Sequence, residues 1–110
     1  MVSVEYFITL ALTFQSVDQQ PHFERQSFRI NKKIFATLDP KAGTVVIKLT
    51  AVEQSVFGAY DQSIIYPVNG AWGKQGWTIV ELAKVKKEVL KDALTKSYRN
   101  VAPKKLSEKI

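Results

Sequence analysis

The segment FRINKKIFATLDPKAGTVVIKL, Phe28 to Leu49, reads as three short strands joined by two tight turns. Phe28 and Ile30 flank Arg29; Ile34, Ala36 and Leu38 alternate with Phe35 and Thr37; Val45, Ile47 and Leu49 share a third face. This period of two is that of half-buried strands. Asn31 and Lys32 form a two-residue hairpin connection, in which Asn tolerates positive φ and Lys does so at a cost. In Asp39-Pro40-Lys41-Ala42-Gly43, Pro is pre-set for a turn and Gly is free to take positive φ. Connections this short allow only antiparallel pairing, so the segment predicts a meander.

Working outward, Ser3 is placed to cap a helix from about Val4 to Phe14, with Val4, Phe7, Ile8, Ala11 and Phe14 on one face. Gln15 to Gln20 is polar, ends at Pro21 and reads as a loop. On the other side, Thr50-Ala51-Val52-Glu53 is a capping box. It opens a helix to about Tyr60, with Val52, Val56 and Tyr60 at i, i+4 and i+8. Ile64 to Val68 and Trp77 to Leu82 read as strands. The Gly-rich segment between them, Asn69 to Gly76, reads as a loop. A closing amphipathic helix spans about Val85 to Asn100, with Val85, Val89, Ala93, Leu94, Ser97, Tyr98 and Val101 as its core stripe. Pro103 ends it, and a tail expected to fray begins at Lys104. The predicted order is α-β-β-β-α-β-β-α. This is an α+β fold of two layers, an antiparallel sheet backed by helices, with a single domain over residues 1–103 and a basic tail over 104–110.

The chain has 110 residues and no cysteine, which excludes disulfides, thiolate catalysis and Cys-based zinc sites. The expected location is the cytoplasm. No apolar run approaches the ~20 residues of a membrane span, and no basic residue precedes Arg25 to start a secretory signal. The charge is asymmetric. Residues 84–110 hold nine Lys or Arg and three acids, which is the whole net charge of +6; residues 1–83 hold seven of each sign. A fixed positive face attracts polyanions by charge neutralisation and counterion release.

Three blocks together resemble the MmcQ/YjbR family of small bacterial proteins: FRINKKIFATL (Phe28 to Leu38), GAWGKQGWTIVEL (Gly70 to Leu82) and SYRNVAPKKL (Ser97 to Leu106). The likeness runs from about Val4 to Leu106. It implies a curved antiparallel sheet backed by helices, similar in topology to frataxin-like proteins. It also implies a double-wing arrangement, from which DNA binding is inferred for the family. Two departures stand out. Asn31-Lys32 replaces the usual Asn-Gly, and the loop Gln15-Ser16-Val17-Asp18 lacks the common Pro-Gly.

The residues offer phosphate contacts rather than catalysis. Lys32 and Lys33 mark the hairpin tip, with Arg25 and Arg29 four apart on the strand leading to it. Lys74 lies in the Gly-Trp loop, and Arg99, Lys104 and Lys105 lie at the C-terminal end. Only Arg99 and Asn100 of the closing helix suit base edges, so recognition should be mainly of the DNA backbone. Trp72 is a candidate for stacking on an unpaired base, whereas Trp77, opening an apolar strand, is expected in the core. Gly73-Lys74-Gln75-Gly76 fits a G-x-x-G backbone clamp only weakly, because it leads into a strand. His22 is the only histidine and has no nucleophile or ligand set around it in sequence; no two acids form a close dyad. The expectation is a non-enzymatic domain without cofactor or metal, monomeric or weakly dimeric, binding duplex DNA. Two alternatives stand beside it: a module for an acidic protein partner, and a small-ligand binder in the concave face of the sheet.

Overall fold

The computed structural model describes residues 2–108. In chain order its elements are α1 (Val4–Leu12), β1 (Val17–His22), β2 (Arg25–Ile30), β3 (Lys33–Asp39), β4 (Thr44–Lys48), α2 (Ala51–Tyr60), β5 (Ile65–Pro67), α3 (Ala71–Lys74), β6 (Trp77–Glu81), α4 (Lys87–Val101) and α5 (Lys104–Ser107). The strands form one six-stranded sheet of order β1-β2-β3-β4-β6-β5, antiparallel throughout. The α+β class and the sheet-on-helices layering are as the sequence predicts.

Register explains the two faces. Phe28, Ala36, Ile47 and Thr78 stand in one cross-strand row, and Leu38, Val45, Val80 and Ile65 in another; all eight are buried. Against these rows pack Phe7 and Ala11 of α1, Phe57 of α2, and Leu90, Ala93, Leu94 and Tyr98 of α4. The rings of Phe14, Phe35 and Tyr98 form a small aromatic cluster, with Phe14 and Tyr98 stacked at 4.9 Å. The Tyr98 hydroxyl donates to the Gln15 carbonyl oxygen at 2.6 Å. The opposite face carries Thr37, Val46, Ile79 and Tyr66, all partly exposed.

Both short connections take the expected form. Asn31 and Lys32 have φ of 50° and 69°, the left-handed pair of a type I′ hairpin turn. The Asp39 carboxylate accepts from the N–H groups of Lys41 and Ala42, and Gly43 takes φ 69°. The capping box on α2 is complete, since Thr50 Oγ1 accepts from the Glu53 N–H and Glu53 Oε1 from the Thr50 N–H.

Five readings need correction. The segment read as the loop Gln15 to Gln20 contains β1, an edge strand whose polar composition carries no alternating apolar signal; Pro21 is tolerated there because an edge strand has a free side. The register slips by one residue at Phe35, so Phe35 as well as Ala36 enters the core, while Ile34 turns to the open face. On α2 the helical stripe Val52, Val56 and Tyr60 is exposed, and Phe57 is buried instead. The Gly-rich loop includes one helical turn, α3. The residues after Pro103 form another turn, α5, whose Leu106 packs against the core; Lys109 and Ile110 lie outside the described residues.

Among the described residues no helix is long and apolar enough to cross a membrane.

Candidate nucleic-acid interface

Strand direction decides which basic residues meet. The β2–β3 tip, the C-terminal end of β4 and the N-terminal end of β6 share one end of the sheet, because Ile30 faces Lys33 and Lys48 faces Trp77. α4 reaches the same end. The Ser97 hydroxyl accepts from the Lys48 N–H at 2.8 Å and donates to the Phe35 carbonyl oxygen at 2.6 Å. The Asn100 side-chain amide donates to the Lys48 carbonyl at 3.0 Å. α3 is anchored alongside, with the Leu49 N–H on the Gly76 carbonyl at 2.9 Å and the Gln54 amide on the Gly73 carbonyl at 3.0 Å.

Lys32 and Lys33 at the hairpin tip, Lys74 at the end of α3, Arg99 near the end of α4, and Lys104 and Lys105 in α5 are therefore carried by elements that terminate at this end, and all six are exposed. Lys48, which the sequence did not single out, joins them, its Nζ 5.0 Å from the Trp77 ring centroid. Lys104 is 3.9 Å from Glu108, an exposed i, i+4 contact of little strength. Lys32 holds a left-handed backbone that Gly adopts freely. For an L-residue with a Cβ this costs roughly 1–2 kcal/mol.

Acids at this end are already engaged. Asp18 faces Arg29 across the β1–β2 pair and bonds its guanidinium at 3.0 Å, and that contact holds the Asp18 carboxyl below its usual range. Burial pushes the Glu53 carboxyl up, but hydrogen bonds from the Thr50 backbone, Asn100 and the Thr50 side chain outweigh it and leave it lowered.

Two residues singled out in the sequence do not join the cluster. Arg29 is neutralised by Asp18. Arg25 faces His22 at the far end of β2, five residues from Ile30, or roughly 17 Å at about 3.3 Å per residue. The basic strip from Arg25 to Lys33 is thus interrupted, with Ser27 buried between them. Asn100, a candidate base reader, is committed to Lys48 and Glu53, the latter at 2.8 Å.

The G-x-x-G element is structural. A Cβ on Gly73 would lie 1.9 Å from the Val68 carbonyl oxygen, and one on Gly76 2.0 Å from that of Leu49, so both glycines permit close backbone contact.

The open face of the sheet holds a cleft of about 720 Å³. Trp77, expected in the core, is half-buried and lines it, as does the exposed Trp72. The β1–β2 turn contributes His22, Phe23 and Arg25. Phe23 is 96% exposed with φ 59°, an uncommon backbone for a bulky residue that costs roughly 1–2 kcal/mol. Nothing in the sequence marked Phe23, since an isolated aromatic beside polar residues reads as an ordinary loop side chain.

Fold and surface together define a small antiparallel α+β domain with one basic end and an open aromatic cleft. The YjbR family model matches residues 12–100, and the chain belongs to that family. The crystal structure of Deinococcus radiodurans protein DR2400, of domain family DUF419, has the same fold, with a TM-score of 0.82 at 18% identity over 99% of this chain and 88% of that one. No curated protein matches the chain.

Proposed function

We propose that this domain binds duplex DNA without sequence preference, through phosphate contacts at the basic end of the sheet. The observation that carries this reading is the common placement of Lys32, Lys33, Lys74, Arg99, Lys104 and Lys105 on elements ending together, where the nearby carboxylates of Asp18 and Glu53 are already hydrogen-bonded. Strain at Lys32 supports it, because the turn keeps a cation where glycine fits better. Asn100 is held by the protein itself, which leaves phosphates rather than base edges as the targets. Binding is the whole activity in this reading; no chemical step is assigned.

The test is the combined replacement of Lys32, Lys33, Lys104 and Lys105 by Gln. Affinity for two duplexes of unrelated sequence should fall by the same factor, at least about tenfold, and the salt dependence should flatten. Unchanged affinity contradicts the proposal. A loss confined to one of the two sequences contradicts the phosphate-only mode.

A further inference from the structure

Two large aromatic side chains, Phe23 and Trp72, stand exposed on the same cleft, at 96% and 62%. Between them the floor is apolar, formed by Ile34, Val46 and Trp77. Ile34 is there because of the register slip at Phe35, which turns it out of the core. Phe23 is held in left-handed backbone at the tip of the β1–β2 turn, where Asn or Gly would relieve the strain and remove an exposed ring. Strain kept in a folded protein together with unfavourable exposure marks a site with a use.

We infer that this cleft binds a small flat aromatic molecule carrying an anionic group, its ring packed against Phe23 and Trp72 and its anion directed to Arg25. The volume of about 720 Å³ lies within the usual span of small-molecule sites. Such sites combine apolar walls with a few polar groups, and here the ionisable groups, His22, Glu24 and Arg25, lie together at the β1–β2 turn, with the Thr37 hydroxyl on the floor. Arg25 is exposed and makes no ion pair among the described residues. Among the lining residues Arg25 is the one Lys or Arg and Glu24 the one carboxylate. A guanidinium also offers a planar fork that suits a carboxylate, sulfonate or phosphate. Because Arg25 sits at the far end of β2 from the basic cluster, the free small molecule, rather than a strand lying on that cluster, is the occupant. The site is independent of the DNA-binding reading.

Both tryptophans of the chain line the cleft, so their fluorescence reports on this site. The probe is 1-anilinonaphthalene-8-sulfonate, excited by energy transfer from tryptophan. The folded protein should give saturable transfer at one site. Arg25→Gln should weaken it about tenfold, the equivalent of one charge-assisted contact. The uncharged N-phenyl-1-naphthylamine should bind about tenfold more weakly than the sulfonate. Phe23→Asn should also lose about tenfold in affinity while unfolding at the same temperature as the parent or higher, which separates a binding role from a structural one. Absence of saturable transfer at millimolar probe overturns the inference. So does equal affinity of the parent, Arg25→Gln and Phe23→Asn proteins.

Discussion

The hydroxyl of Ser97 donates a 2.6 Å hydrogen bond to the carbonyl oxygen of Phe35, sixty-two positions earlier in the chain. The Ser97 hydroxyl oxygen in turn accepts from the Lys48 N–H at 2.8 Å. Phe35 is skipped in the β2–β3 register and lies one residue beyond the last β3–β4 pair, so a serine side chain bridges Phe35 and Lys48 where the backbone ladder stops. This one residue fixes α4 to β3 and β4 and sets where the basic end of the helix lies.

Replacing Ser97 by Ala should therefore be expensive for so small a change. It strands a buried carbonyl and an N–H, at a total of about 3 kcal/mol. The melting temperature should drop by roughly 10–20 °C. A drop of only a degree or two in calorimetry would show that water or backbone shifts restore both bonds.

Gly73→Ala should be as damaging, for a steric reason. Its Cβ would meet the Val68 carbonyl oxygen at 1.9 Å, and backbone cannot rotate away. About 3 kcal/mol is expected, against roughly 1 kcal/mol for Gly43→Ala, where only the positive φ is strained. Urea unfolding of the two variants checks the order; equal losses contradict it.

Glu53 links stability to pH. Its carboxyl is lowered in the folded protein despite burial, by bonds from Thr50 and Asn100. A depressed folded value means that the contribution is present above the unfolded value of about 4.3 and is lost as pH falls through the folded one. Glu53→Gln should destabilise the protein modestly at pH 7, and the gap should narrow as pH falls through the folded value. A gap independent of pH would show that the charge of Glu53 plays no part.

The sequence was most legible where local chemistry decides conformation. Asn31-Lys32, the Asp39 to Gly43 turn and the Thr50 to Glu53 box all form as read. It was silent where position in the sheet decides. β1 is an edge strand and needs few apolar residues, so Val17 to His22 looked like a loop. Ile34 and Phe35 are both apolar, so neither could reveal which of them the register slip turns outward. The periodic stripe on α2 misled because a helix beside the short edge strand β5 buries Phe57 and leaves Val52, Val56 and Tyr60 in solvent. At the candidate interface, residue types were readable, but the separation of Arg25 from Lys32, and the pairing of Arg29 with Asp18, depend on strand direction and register.

The most direct measurement is fluorescence anisotropy of a labelled 20-base-pair duplex with the intact protein at about 50 and 200 mM salt. Phosphate contacts at a basic end predict binding in the roughly micromolar range or tighter at the lower salt, weakening steeply at the higher, with the same slope for unrelated sequences. No binding at about 50 mM salt, or binding indifferent to salt, would contradict the account.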